Sequence, residues 1–217
     1  MTPERLSRRD FITRTGVAAV LIGAVDGVAR PLPAQAAVAK VGEAAPTFTS
    51  TATTGAAVSL ADYRGKLVIL EWTNHDCPYV RKHYDTGNMQ ALQRETTGAG
   101  VIWLTVISSA PGEQGHVKPA HADELTTNRK AAPTAVLLDT KGEVGKIHGA
   151  TNTPHMYLVD KAGLLVYAGA IDDKPTSRRG DVPGANNYVR EALQAVAAGQ
   201  PVKTPVTRAY GCTVKYS

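Results

Sequence analysis

Three continuous apolar runs, separated by stretches of helix length, constrain this chain more than any other feature. Leu67-Val68-Ile69-Leu70-Glu71-Trp72, Val101-Ile102-Trp103-Leu104-Thr105-Val106-Ile107 and Thr134-Ala135-Val136-Leu137-Leu138 show no regular alternation of apolar and polar residues. Strands that read this way are buried on both faces, so the sheet they form must be covered above and below. Between the first two lies a helical pattern from Pro78 to about Thr97, with Val80, Tyr84, Met89 and Leu92 inward and a break at Gly87-Asn88. A second helix is expected from Ala120 to Ala131, ahead of the third run. Strand–helix–strand connections of this length join parallel neighbours.

The rest of the chain closes the sheet differently. A turn or short helix at Glu143–His148 leads to Thr153-Pro154. Met156–Val159 and Leu164–Ala168 then flank Asp160-Lys161-Ala162-Gly163, a hairpin turn that implies an antiparallel edge. A last helix runs from Asn187 to Ala198 and stops at Gly199. Residues 37–66 form a Pro/Thr/Gly-rich entry with a short strand at Val58 and a turn closed by Gly65. The expected fold is α/β: a central mixed sheet, helices on both faces and an N-terminal β extension. One domain, 37–200, precedes a polar tail, 201–217; no internal repeat and no second domain is visible.

The formal charge of +5 is misleading. Arg5, Arg8, Arg9 and Arg14 precede a weakly apolar run, Gly16–Ala29, and then Ala34-Gln35-Ala36. A basic head, a short apolar middle and a small-residue cleavage site make an export signal. Ser7-Arg8-Arg9-Asp10-Phe11-Ile12 resembles the twin-arginine box that sends folded proteins across a bacterial inner membrane. The run is shorter than the ~20 apolar residues a membrane span needs, and Asp26 interrupts it. Loss of residues 1–36 removes five Arg and three acids, leaving 19 basic against 16 acidic side chains, or +3. No basic patch with interleaved aromatics remains, so nucleic-acid binding loses its support. The expected location is the periplasm, where disulfides persist.

Only two cysteines are present, Cys77 and Cys212. They exclude a disulfide-dense scaffold, a four-thiolate zinc site and an iron–sulfur cluster. Cys77 sits between a buried strand and a helix, with Pro78 at the first helical position. A thiol at that cap meets free backbone N–H groups and the positive end of the helix dipole, which favour the thiolate. Arg81 adds positive charge and Asp76 opposes it. Cys212, in Tyr210-Gly211-Cys212-Thr213-Val214-Lys215-Tyr216, has three readings. It is a redox partner of Cys77, one end of a static staple, or an unpaired residue. A static bond across so long a loop would stabilise by ~4–5 kcal/mol in the chain-entropy model. From Gly199 the tail can extend at most ~45 Å, enough to cross a small domain.

Four segments together resemble the thioredoxin-like superfamily. More narrowly, they are similar to its redoxin branch, related to the alkyl hydroperoxide reductase and thiol-specific antioxidant proteins. They are Gly42-Glu43-Ala44-Ala45-Pro46-Thr47-Phe48 with Val58–Lys66; Trp72-Thr73-Asn74-His75-Asp76-Cys77-Pro78-Tyr79-Val80; Gly149-Ala150-Thr151-Asn152-Thr153-Pro154-His155; and Gly163-Leu164-Leu165-Val166-Tyr167. The resemblance implies a thioredoxin-like fold, Cys77 as nucleophile, and a cis-proline at Thr153-Pro154 facing it. That loop would offer main-chain hydrogen bonds to an extended substrate peptide. Two departures matter. Asn74 stands where a C-x-x-C pair would have its first cysteine, so a dithiol within one turn is excluded. Leu70 and Asn74 stand where a peroxidase signature would have proline and threonine, and Asn74 is left as the donor toward a bound peroxide.

Other groups of residues offer competing chemistry. His75, Cys77, His83, His155 and Met156 would suit copper if they converged near the cysteine turn. His116, His121 and His148 are expected to be solvated, without a role. Glu71 is either a buried proton carrier or an exposed strand-end residue. The expected activity is that of an exported thiol oxidoreductase acting on peroxide or protein disulfides through Cys77. In it Cys212 resolves the oxidised thiol, and Asn74, Thr153 and Pro154 complete the site. No cofactor or metal is required, and the partners are a thiol or disulfide substrate and a periplasmic reductant. The alternative is a non-catalytic module that uses the same loop to hold a peptide or copper.

Overall fold

In the computed structural model, which describes residues 38–217, five strands form the central sheet. The basic N-terminal segment and its expected cleavage site lie outside the described residues. The three apolar runs become β3 (Val68–Trp72), β4 (Ile102–Ile107) and β5 (Ala135–Leu138), ordered β5–β4–β3 and parallel. The hairpin supplies β7 (His155–Val159) and β8 (Leu165–Gly169); β7 runs antiparallel against β3 and β8. The entry contains one more strand than expected: β1 (Thr49–Thr51) pairs with β2 (Ala57–Ser59) in a small antiparallel ribbon. Three residues are too few to show periodicity. A turn of 3-10 helix, Leu60–Tyr63, follows, capped reciprocally by Ser59 and Asp62.

The helical stretch after Cys77 splits where a break was expected. Helix α1 (Pro78–Asp85) ends before Gly87, whose φ of +75° suits glycine, and α2 (Asn88–Gly98) follows. Helix α3 (Pro119–Asn128) is shorter than the expected 120–131 because Lys130 turns left-handed at φ 53°. Helices α4 (Glu143–His148) and α5 (Tyr188–Ala197) lie close to expectation.

Alternation along each strand sends side chains into two cores. Ile69, Trp103, Met156, Leu158 and Tyr167 pack with α1, α2 and α5; Leu70, Trp72, Leu104, Tyr157 and Leu165 pack with α4, Phe48 and Leu60. Helices therefore cover both faces, and both faces of β3 and β4 are buried, as their uninterrupted apolar runs require. The tail is less polar in structure than in sequence. Val214 is buried in the second core, and Cys212–Thr213 form a strand, β9, against Asn152–Thr153, β6. Among the described residues no helix is long and apolar enough to cross a membrane.

Candidate active site

Strand β3 delivers the chain into a tight turn that ends on Cys77, the N-cap of α1. The turn is held by Asn74. Its Oδ1 accepts from the Asp76 N–H at 2.9 Å, its carbonyl accepts from the Cys77 N–H at 3.1 Å, and its Nδ2 donates to the Gln114 carbonyl at 3.3 Å. From α3's end Arg129 Nη2 donates to the His75 carbonyl at 2.9 Å. The Asn74 side-chain amide, expected to donate toward a bound peroxide, is engaged by Asp76 and Gln114 in the structure. Arg81 is exposed, whereas Lys82 and His83 turn inward.

The Cys77 thiol has no solvent-accessible surface. Its Sγ–H donates to the Thr153 carbonyl at 3.1 Å, and the Thr153–Pro154 peptide bond is cis, as the resemblance implied. The loop that carries it reaches Cys77 because β7, which follows, pairs with β3. The Cys212 N–H, on the strand that pairs with Thr153, donates to the same sulfur at 3.4 Å. The two cysteines, 135 residues apart, are reduced and adjacent. Burial, a hydrogen bond to Cys77 and the charge of Cys77 push the Cys212 thiol up to about 12. Cys77, Cys212, Thr153 and Pro154 are therefore brought together in one place.

A buried ionic group lies behind this site, and sequence reasoning missed most of it. Lys82 is 1 % exposed and Asp172 2 %, with Nζ and Oδ2 3.4 Å apart. Lys82 Nζ also donates to the Lys174 carbonyl at 2.7 Å and to Tyr210 Oη at 3.4 Å. The Tyr210 hydroxyl donates to Asp172 Oδ1. Asn88 Nδ2 lies 2.9 Å from His83 Nδ1, which makes Nδ1 the acceptor and puts the proton of a neutral imidazole on Nε2, 3.1 Å from Tyr210 Oη. So α1, which begins at Cys77, also grips the tail two residues before Cys212. The only sequence signal was the unusual concentration of Tyr, Gly and Val around the second cysteine.

The five residues considered for copper do not gather. Met156 and His155 are consecutive on β7 and so face opposite sides of the sheet. His83 is bound to Asn88 and Tyr210, and His75 packs edge-on to His121. Among the described residues no three His, Cys, Asp or Glu side chains assemble as metal ligands. His148 departs from its expected solvated state. It is buried, packed against Phe48, Trp72 and Tyr157. Glu71 is the buried alternative of its two readings, and burial raises its pKa while hydrogen bonds from Trp103, Tyr84, Thr105 and Gln93 act in the opposite direction.

Burial lowers the pKa of His83, His148 and His155 to about 4 each; for His83 the Asp172 charge opposes the shift and Lys82 reinforces it. In the unfolded chain these groups titrate near 6.5, so between the two values the unfolded state binds more protons. Stability therefore falls as pH drops from about 6.5 to 4, by on the order of 3 kcal/mol for each histidine. Thermal melts across this range should show that fall, and His148→Gln should reduce it by about a third. A flat profile in the parent protein would show that the histidines titrate normally.

A buried thiol at a helix start, faced by a cis-proline loop and by a second cysteine on β9, beside a mixed five-stranded sheet, marks a thioredoxin-like fold. The chain belongs to the Redoxin family, whose model matches residues 40–189. Its fold is also that of an uncharacterized conserved protein from Geobacillus kaustophilus, at 24 % identity, TM-score 0.70, covering 82 % of this chain and 93 % of that one. A hypothetical protein from Sinorhizobium meliloti 1021 is similar at 22 % identity and TM-score 0.71, with 82 % of this chain and 95 % of that one covered. No curated protein matches the chain.

Proposed function

We propose that this redoxin is an exported thiol oxidoreductase that cycles between a Cys77/Cys212 dithiol and an intramolecular disulfide. The observation that carries the reading is the placement of the Cys212 N–H 3.4 Å from Cys77 Sγ, the same sulfur that contacts the Thr153 carbonyl. In the oxidative half, the Cys77 thiolate attacks one oxygen of a peroxide, the O–O bond breaks, and the other oxygen leaves protonated as alcohol or water. The Cys212 sulfur then attacks the Cys77 sulfenic acid, an S–S bond forms, and water departs. An external dithiol restores both thiols and leaves as its own disulfide. With a disulfide as substrate, Cys77 attacks one sulfur and the other leaves as thiolate. Asn74 holds the turn that presents Cys77, and Thr153 and Pro154 form the wall opposite.

Residues 1–36 serve as the twin-arginine export signal and are removed, which places the working protein, residues 37–217, in the periplasm. A reductant of that compartment completes the cycle. No organic cofactor and no metal takes part. Intact-mass analysis with alkylation, before and after stoichiometric hydrogen peroxide, tests the reading. The wild type should lose about two mass units and both alkylatable thiols, Cys212→Ser should accumulate a sulfenic or higher acid, and Cys77→Ser should be inert. A Cys77 that survives peroxide and exchanges with no disulfide overturns the reading and leaves a binding module. A disulfide that forms but resists every thiol reductant identifies a static staple.

A further inference from the structure

Resting on that reading, we propose that the C-terminal tail occupies the peptide-binding edge beside Cys77 and so selects small peroxides over polypeptide disulfides. An extended polypeptide would reach the sulfur by pairing with the strand edge next to the cis-proline, as an added strand. In this chain that edge is taken. Strand β9 pairs antiparallel with β6, setting Cys212 opposite Thr153 and Thr213 opposite Asn152. The Val214 N–H donates to the Thr151 carbonyl at 3.0 Å, and Asn152 Nδ2 donates to the Gly211 carbonyl at 2.9 Å.

Anchors outside the edge hold the tail on both sides of Cys212. Upstream, residues 205–207 lie along β8: the Ala168 N–H donates to the Pro205 carbonyl at 3.0 Å, and the Thr207 N–H donates to the Ala168 carbonyl at 3.1 Å. Next comes Tyr210, tied to Lys82, His83 and Asp172. Downstream, the Ala110 N–H donates to the Lys215 carbonyl at 2.8 Å, and the Tyr216 hydroxyl donates to the Ala150 carbonyl at 2.7 Å. Gly211 is the close approach. Its φ is +117°, and a Cβ there would overlap the Thr153 carbonyl oxygen.

The consequence is steric. Cys77 is buried, so every reagent needs an opening; for hydrogen peroxide an opening of its own size beside Sγ suffices. A polypeptide disulfide needs the edge itself, and therefore release of a segment held by both main-chain and side-chain bonds.

Two variants that loosen the tail test this in the full chain carrying Cys212→Ser, so that Cys77 is the only thiol. Gly211→Ala forces the tail away from Thr153, and Tyr210→Phe removes the hydroxyl that joins it to Asp172. Cys77 labelling by iodoacetamide and by a 5-kDa polyethylene-glycol maleimide (a probe size of about a small polypeptide) is followed by mass. Both substitutions should raise the bulky-reagent rate by at least about tenfold, the effect of losing roughly one or two hydrogen bonds. The iodoacetamide rate should change far less. Should Gly211→Ala fail to fold, Tyr210→Phe decides alone. Equal bulky-reagent rates in parent and variant overturn the proposal. The oxidoreductase reading fails separately, by inertness of Cys77 toward peroxide, which leaves the labelling ratio intact.

Discussion

Replacing Asp172 with alanine is expected to destabilise the protein by about 3–5 kcal/mol, because it strands a buried ammonium group. Lys82 is 1 % exposed, and among the described residues Asp172 is the carboxylate it pairs with, at 3.4 Å. The carboxylate also accepts a hydrogen bond from the half-buried Tyr210 hydroxyl, so its loss leaves a second donor without this partner. Urea denaturation of Asp172→Ala, Lys82→Met and the double variant separates these effects. The double variant should cost less than the sum, since it removes the charge together with its partner. A loss below about 1 kcal/mol in Asp172→Ala would mean that water reaches Lys82 and that the group is not an anchor. The same variant should weaken the tail's hold and raise bulky-reagent access to Cys77.

The second large effect is expected at Glu71. Its carboxylate accepts from Trp103 Nε1 at 2.8 Å, the Tyr84 hydroxyl at 2.9 Å, the Thr105 hydroxyl at 3.1 Å and Gln93 Nε2 at 3.2 Å. Glu71→Leu orphans four donors in a site closed to water, and each orphan costs about 1–3 kcal/mol. Relief from burying the carboxylate returns part of this, so a net loss of at least about 3 kcal/mol is expected. Glu71→Gln keeps the size and one acceptor oxygen and should cost less. Its penalty should also shrink as pH rises. Burial raises the Glu71 pKa in the folded state, so the folded chain binds the proton more tightly than the unfolded chain. That contribution is present below the ordinary glutamate value and is lost as pH rises through the folded one. Urea midpoints of wild type and Glu71→Gln across pH 4.5–8 measure the trend; a penalty that grows with pH would show a carboxylate stabilised in its charged form (range chosen around the reference glutamate value of about 4.3).

Both predictions rest on buried polar groups that no periodic pattern reveals. A helix is read by assigning apolar residues inward, and that rule places Val80 and Tyr84 correctly and Lys82 wrongly. Lys82 is inward because Asp172, Lys174 and Tyr210 meet it there, and they come from sequence positions 90 or more residues away. His148 was misread for the same reason: its burial is set by Phe48, Trp72 and Tyr157, which lie on other elements. The readings that succeeded drew on local chemistry. Gly87 splits the long helix through its own φ, and the hairpin turn at Asp160–Gly163 follows from its residues.

Local patterns in the chain already pointed to β3 and β4 as strands buried on both faces, to β5 as their apolar neighbour, and to Cys77 as a helix start. Uninterrupted apolar runs and a cysteine followed by proline act within a few residues, and that range is visible along a chain. Through its resemblance the sequence also led to the cis-proline at Thr153-Pro154. The long-range packing settles which second residue meets the thiol beside the Thr153 carbonyl. Strand β9 is two residues long, too short for any pattern, and exists because Asn152 and Thr153 offer it an edge. That pairing is a long-range contact, as is the Lys82–Asp172–Tyr210 group behind it. It is this contact that turns two distant cysteines into one site.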